Sequence, residues 1–466
     1  MERLRNWKGW RAACKTVCFF LLLALTLGRA DEVLALKSYD GLHTMQKFYE
    51  QPENTVDLLV LGSSHAYVNI DTGTLWDEYG IPSYDLGGGI QPMWNTFYYL
   101  KEALKTQKPE LIVMDAYTTT FTQEYNDNGR AVSNTFGMKW SWDKVGAMRL
   151  STPPDKLSSF LLGYTQYHAR TQGLSREDFL ENKGDEARYG CWKGSYLSTV
   201  VTPQEWPVDA WTEERAPMTE KTETWYRKTI ELARSSGIPL LITVVPYPGV
   251  SAVHQAVFNT AADIAAEYGV PFINYNLDFQ NLGLDPSRDY FDGHHMNIWG
   301  AEKFTRFLGA YLTDHYELPD RRGGPAYQSW EDNARYIRAY LRNAEMAQDL
   351  TPEEAAPLLR DPDYTCAVSV SGNGAAAFAP LLEALGVPAG ESGVWLVSGG
   401  QVLWASDAEG KAYFELDTHD LKLTAAPEGH GMVFDREILQ TIPDGVSVLV
   451  YDAVTQARAA YLTFGP

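Results

Sequence analysis

Val56-Asp57-Leu58-Leu59-Val60-Leu61-Gly62-Ser63-Ser64-His65 joins an apolar run to a glycine, two serines and a histidine. The run is short and rich in Leu and Val, as a strand buried on both faces of a parallel sheet would be. Gly62 can turn the chain sharply where the strand ends. Ser64 then falls at the carboxyl edge of the sheet, where open α/β folds place their chemistry. A second stretch gives this serine its interest. Tyr290-Phe291-Asp292-Gly293-His294-His295-Met296-Asn297 supplies an Asp and a His three residues apart, and a serine nucleophile needs both.

Strand and helix signals alternate outward from this run. Ile81–Leu86, Leu111–Met114, Pro239–Val245 and Val270–Asn274 read as further strands. Helical patterns are expected over 70–79, 92–107, 220–236, 254–268 and 299–312. This βαβα order implies a parallel sheet with helices on both faces. Residues 31–55 read as an extended lead-in. The alternation lapses between about 115 and 204, which reads as an insertion over the carboxyl edge. An α/β domain over 56–318 is expected to be followed by a helical linker, 319–362. Its second helix starts at a capping box, Thr351-Pro352-Glu353-Glu354. A smaller α+β domain over 363–466 completes the expectation. Its strands are 365–370, 394–397, 446–451 and 459–464, and its helix is 375–385.

Residues 1–30 stand apart as a signal peptide or signal anchor. A basic head (Arg3, Arg5, Lys8, Arg11, Lys15) precedes an apolar run, Thr16 to Gly28, which is short for a membrane span. Gly28-Arg29-Ala30 suits cleavage. Either form carries the rest of the chain across a membrane. The chain has a net charge of −21; residues 1–30 hold six Lys/Arg and one Glu, a net of +5, so the remainder is −26. A body this acidic repels nucleic acid and anionic head groups, so a nucleic-acid partner is excluded. Cys14 and Cys18 fall in the targeting segment. Cys191 and Cys366 are too few for a zinc site or a disulfide framework, though one bridge between them is open.

Serine is a weak nucleophile until a base takes its proton and a carboxylate orients that base. Ser64, His295 and Asp292 fit those roles, because an Asp three residues before the His can fold back onto the ring. His294 competes with His295 for the base; the Asp-x-x-His spacing favours His295. Ser64 has the alternative of capping the next helix. His65 reads as a pocket or structural residue, since adjacent side chains at a turn diverge. A metal held by His65, His294 and His295 lacks any supporting spacing. Trp140, Trp142 and Tyr167 could stack on sugar rings or pack a core.

Gly62-Ser63-Ser64 near the start, with Asp292-x-x-His295 before the final helix and Asn297 followed by Gly300, resembles the SGNH/GDSL hydrolases over roughly residues 55–315. The nearer likeness is to exported bacterial members, such as the D-alanyl-lipoteichoic acid biosynthesis protein and the SGNH O-acetyltransferases of surface polysaccharides. The resemblance implies a flavodoxin-like three-layer domain with Ser64 as nucleophile and Asp292 and His295 as its partners, and no cofactor or metal. It implies an oxyanion hole made from the Ser64 N–H and a glycine N–H, at Gly88 or Gly89 in Gly87-Gly88-Gly89. The family's Asn after the third strand is missing; Met114-Asp115-Ala116-Tyr117-Thr118 stands there. Asp115 as a carboxylate would repel an oxyanion, and Gln91 or Thr118 would have to donate instead. Relatives carry a His-x-Arg in the insertion, here His168-Ala169-Arg170, which implies a substrate-binding role or a surface ion pair.

The activity expected is therefore that of an exported serine esterase or O-acyltransferase. It would remove or transfer acyl groups on a cell-surface glycan or cell-wall polymer, and the resemblance implies a membrane-bound O-acyltransferase as partner. A non-catalytic subunit of an acylation complex is the alternative that the missing Asn favours. A lipase or carboxylesterase of small esters is the other.

Overall fold

The computed structural model describes residues 2–34, 39–161, 163, 166, 168–174, 193–407 and 409–465. The chain divides into two compact units, Met1–Glu331 and Asp332–Pro466. The stretch read as a linker, 319–362, is thereby shared between them.

The first unit is built on five parallel strands: β1 (Leu58–Gly62), β2 (Ser83–Gly87), β3 (Leu111–Asp115), β4 (Leu240–Val244) and β5 (Phe272–Asn274). Their order is β2-β1-β3-β4-β5. Every residue of β1 to β4 is buried, which is what continuous apolar runs with helices on both faces require. The helices pack in pairs, Met93–Ala103 with Glu220–Ser235 and Thr72–Tyr79 with Ile298–His315. Right-handed crossovers put the two pairs on opposite faces. The connection that leaves β1 runs toward β2, and the one that leaves β3 runs the opposite way, toward β4. The gap between β1 and β3 is therefore the point where a sheet of this order opens a crevice, and Ser64 follows β1.

Three expectations need correction. The lead-in is not extended: Tyr39–His43 forms a π-helical turn and Thr44–Phe48 a short α-helix. Its N-cap, His43, makes no side-chain capping bond. What holds it is packing, since Phe48 is buried edge-on against Tyr84 of β2 at 5.0 Å and the Tyr84 hydroxyl donates to Thr44 O at 2.8 Å. Helices this short rarely stand on propensity. At the N-terminus one helix runs unbroken from Glu2 to Leu34. Within it Trp10–Ala30, 21 residues of mean hydropathy 1.6 with none of its surface buried, is long and apolar enough to cross a membrane. Counting from Thr16 gave too short a span.

The third correction concerns the second unit, which holds nine strands among the described residues rather than four. They are β6 (Tyr364–Ser371), β7 (Gly393–Ser398), β8 (Gln401–Ser406), β9 (Gly410–Leu416), β10 (His419–Ala426), β11 (Gly429–Phe434), β12 (Glu437–Leu439), β13 (Gly445–Asp452) and β14 (Ala457–Phe464). Antiparallel sheets of order β14-β13-β6-β7-β8 and β12-β11-β10-β9 result. Alternate residues of β6 serve two cores. Cys366, Val368 and Val370 pack with Leu381, Leu382 and Leu385, while Ala367 joins Leu421, Leu423 and Met432. The period of two is that of a strand with a core on each side. The capping box forms, with Thr351 and Glu354 bonding reciprocally. The helix expected over 375–385 is two pieces, Gly374–Ala377 and Ala379–Leu385, with Pro380 in the first turn of the second.

The final helix of the first unit shows why a glycine stands at 300. The Asn297 side chain caps the helix by accepting the Gly300 N–H, and a Cβ at Gly300 would lie 2.2 Å from Asp289 O. Gly300→Ala is expected to cost about 1–3 kcal/mol through overpacking. A urea unfolding midpoint below the wild type's checks it.

Candidate active site

The nucleophile turn follows from close packing. A Cβ on Gly62 would come within 2.7 Å of the Ala66 side chain and 3.2 Å of that of Asp115, so only glycine lets β1 turn so tightly into the helix Ser64–Tyr67. Ser63 is the N-cap, accepting the His65 N–H on its side chain, and is buried. Ser64, one residue on, is partly open to solvent. The cap is thus Ser63, and Ser64, the candidate nucleophile, is not the capping residue.

Across 231 residues of sequence, His295 Nε2 lies 2.9 Å from Ser64 Oγ. The His295 Nδ1–H donates to Asp292, at 2.9 Å from Oδ2 and 3.0 Å from Oδ1. The Asp292 carboxylate also accepts the backbone N–H groups of His294 and His295, at 2.7 and 2.9 Å. An antiparallel bridge between Tyr290 and Met296 closes the base of this loop, and Phe291 stacks on the His295 ring at 5.4 Å. The three-residue spacing is thus the spacing of a tight turn wrapped on its own carboxylate. Burial opposes ionisation of Asp292. The hydrogen bond and charge of His295, with the two backbone N–H groups, outweigh it and hold the carboxyl down at about 2.

Asn69 was not singled out by any sequence signal, yet it joins the two halves. Its Nδ2 donates to His65 O at 2.9 Å and to His294 O at 3.3 Å, and its Oδ1 accepts the Met296 N–H at 2.6 Å. It is fully buried. One amide therefore ties the nucleophile turn to the base loop.

His65 does not face a pocket. It is fully buried; its Nδ1–H donates to Asp115 Oδ1 at 3.1 Å, and its ring stacks on Tyr117 at 4.3 Å with the edge of Tyr247 4.8 Å away. The structural reading of this residue holds and the substrate-contact reading fails. The expectation that Asp115 would face an oxyanion is also corrected. It is buried, and besides His65 it accepts the N–H groups of Tyr117 at 2.9 Å and Val245 at 3.1 Å. Its oxygens pin the segments that follow β1, β3 and β4.

His294 belongs to the same polar packing. Its Nδ1 lies 3.4 Å from the Tyr117 hydroxyl, and the Tyr247 hydroxyl lies 3.0 Å from His254 Nδ1. Burial, and then the neighbouring His65, push both His294 and His254 below the usual histidine range. Burial, then Asp115 and Asp292, lift Tyr117 to about 12. These shifts oppose a positive charge on His294 and His254, and His295 is the ring that meets the serine.

Gly87 pairs with Gly62 in the β1–β2 register, so Gly88 and Gly89 continue past the same sheet edge as Ser64. A Cβ at Gly88 would sit 2.0 Å from Asn134 Oδ1. Asn134, from the insertion, donates through Nδ2 to Gly89 O at 3.1 Å. No local pattern marks it, because it acts 45 residues from its partner. Gln91 is buried and its Nε2 donates to Thr96 Oγ1 at 3.0 Å. Its amide donor is turned inward, so the oxyanion role assigned to it is withdrawn. Thr118 is buried as well. His168 begins the 3-10 helix His168–Gln172. In that helix Arg170 donates through Nη1 to Leu34 O at 3.0 Å, bracing the end of the N-terminal helix rather than joining the triad. Trp140 and Trp142 are exposed, against a core role. Tyr167 and Cys191 lie outside the described residues. Cys366 is a buried free thiol, which burial lifts to about 12.

Two consequences can be measured. Asp115→Ala leaves three buried donors without an acceptor and is expected to cost about 3–5 kcal/mol, read as the shift in a urea unfolding curve. Asp292 titrates lower folded, at about 2, than its usual 3.8. Its contribution to stability is therefore complete above about pH 4 and is lost as pH falls through about 2. Acid unfolding of Asp292→Asn should lack that limb. No protein-family model, curated protein or solved structure matches the chain.

Proposed function

We propose that this chain is a serine hydrolase acting on acyl esters. The observation that carries the reading is the 2.9 Å approach of His295 Nε2 to Ser64 Oγ, with Nδ1 of the same ring on Asp292. His295 takes the Ser64 proton as the oxygen attacks an acyl carbonyl. Asp292 holds the tautomer that leaves Nε2 free to accept, and stabilises the imidazolium that forms. The Ser64 N–H, at the start of its helix, is among the donors that have no intrahelical acceptor. With the N–H of Gly88 or Gly89 it would hold the oxyanion. Asn134 sets the position of that glycine pair from behind. Collapse of the tetrahedral intermediate expels the alcohol, which takes its proton from His295, and leaves an acyl-Ser64 ester. Water, or a sugar hydroxyl, then releases the acyl group by the reverse sequence of proton transfers.

The strand order, with the nucleophile following β1 at the switch point, supports a flavodoxin-like sheet of the SGNH kind. The sequence resemblance supports an acylated surface glycan or cell-wall polymer as substrate, and a membrane-bound O-acyltransferase as partner. The basic head before Trp10–Ala30 favours a helix whose N-terminus stays in the cytoplasm, with the acidic body outside. We read it as an uncleaved anchor.

A fluorophosphonate probe should label the wild type and not Ser64→Ala. Asp292→Asn should lower kcat on an acetylated glycan by about 10²–10⁴-fold with little change in KM. Absence of labelling in the folded wild type would overturn the reading.

A further inference from the structure

The end of the N-terminal helix is built into the insertion that follows β3. Leu34, the last residue of the helix, is buried among Ala131, Val132 and Phe160, with Phe136 packed against them. Arg170 donates to its carbonyl. Leu34 lies four positions beyond Ala30, where the apolar span ends. At 1.5 Å per residue that is about 6 Å. A bilayer's head-group layer is about 5–7 Å deep on each side of its hydrocarbon. If the span crosses, the cluster that grips Leu34 therefore stands at head-group depth.

The surface continuous with that cluster has the composition such a position favours. Lys144 donates through Nζ to the carbonyls of Phe136 and Met138, both at 2.9 Å. The same ammonium lies 5.5 Å from the Phe136 ring centre and 4.9 Å from that of Trp140. Trp140 is 64% exposed, and Trp142, two residues on, is 88% exposed. Indole rings left this open cost apolar surface in water, and indole is the side chain that settles at the membrane–water boundary. Charge separates this patch from the rest of the body. Residues 130–160 hold five Lys/Arg and two Asp, a net of +3, on a body of net −26. The segment that carries the two indoles is thus opposite in net charge to the body as a whole.

We propose that this face of the insertion rests on the lipid surface, with Trp140 and Trp142 seated among the head groups of the outer leaflet. The proposal rests on the anchor reading of the N-terminal helix and is independent of the esterase reading. The ligand is the lipid itself. Its head groups meet the basic side chains and its interface takes the indoles. The insertion leaves the carboxyl edge of the sheet directly after β3, so contact at this face would fix how that edge is presented relative to the membrane.

The full-length chain, reconstituted into phosphatidylcholine–phosphatidylglycerol vesicles, provides the test. Flotation with the vesicles at high salt reports insertion of the helix. Tryptophan quenching by a lipid with a nitroxide on its head group then reports which indoles lie at the interface. Trp7 and Trp10 of the helix, together with Trp140 and Trp142, are the expected quenched set among the 14 tryptophans. The Trp140→Phe/Trp142→Phe double variant, whose changes lie at exposed positions, should float equally and lose about half of the quenchable signal. Equal quenching in the variant and the wild type, with both floating, would overturn the surface contact while leaving the anchor in place. A chain that does not float would overturn the proposal through its premise. Serine labelling at Ser64 is scored separately and does not enter either outcome.

Discussion

The Asp115 carboxylate, with no access to solvent, is the constraint on which the catalytic edge depends. It gathers a ring N–H from the turn after β1, a backbone N–H from the turn after β3 and another from the chain after β4. A buried carboxylate tolerates such a place only when its oxygens are met by donors, and here three strands supply them. The ends of β1, β3 and β4 are thereby held in one mutual position. Ser64 is the residue immediately before the first of those donors. Tyr117, stacked on the His65 ring, and Tyr247, edge-on to it, complete the packing around that donor.

The His295 ring is placed by a different device. The loop from Tyr290 to Met296 folds on the Asp292 carboxylate, and Asn69 fastens it to the nucleophile turn through three hydrogen bonds. Local wrapping orients the ring, and tertiary clamping sets its distance. The two are separable: the first is encoded within seven residues, the second needs the fold. Anchoring of this sort, in which side chains that never touch substrate hold those that do, is what gives a hydrolytic site its working geometry.

Much of this was legible because it was local or periodic. Continuous apolar runs marked the parallel strands, and Ser64, Asp292 and His295 could be named from residue chemistry and a three-residue spacing. Asn69 and Asn134 were invisible for the opposite reason: their partners lie 225 and 45 residues away, and an asparagine in a loop has many dull explanations. Asp115 was misread as a threat to an oxyanion, since a sequence does not show which way a carboxylate at a strand end turns. Gln91 and His65 failed similarly, as polar side chains that satisfy themselves inward. In the second unit the strands β8 to β12 escaped notice because few of their residues are buried, and in β10 those few alternate with residues more open to solvent. Leu421, Leu423 and Ala425 are buried while Asp420 is exposed. Such a pattern looks like polar loop until its period is counted.

The separation of the serine from its histidine has a temporal meaning. In the proposed export, with the N-terminal helix held in the membrane, residue 64 would emerge long before residue 295. Until the segment after β5 arrives and the Asn69 amide fastens it, Ser64 has no ring to take its proton. The proposed reactivity would therefore be withheld throughout transit.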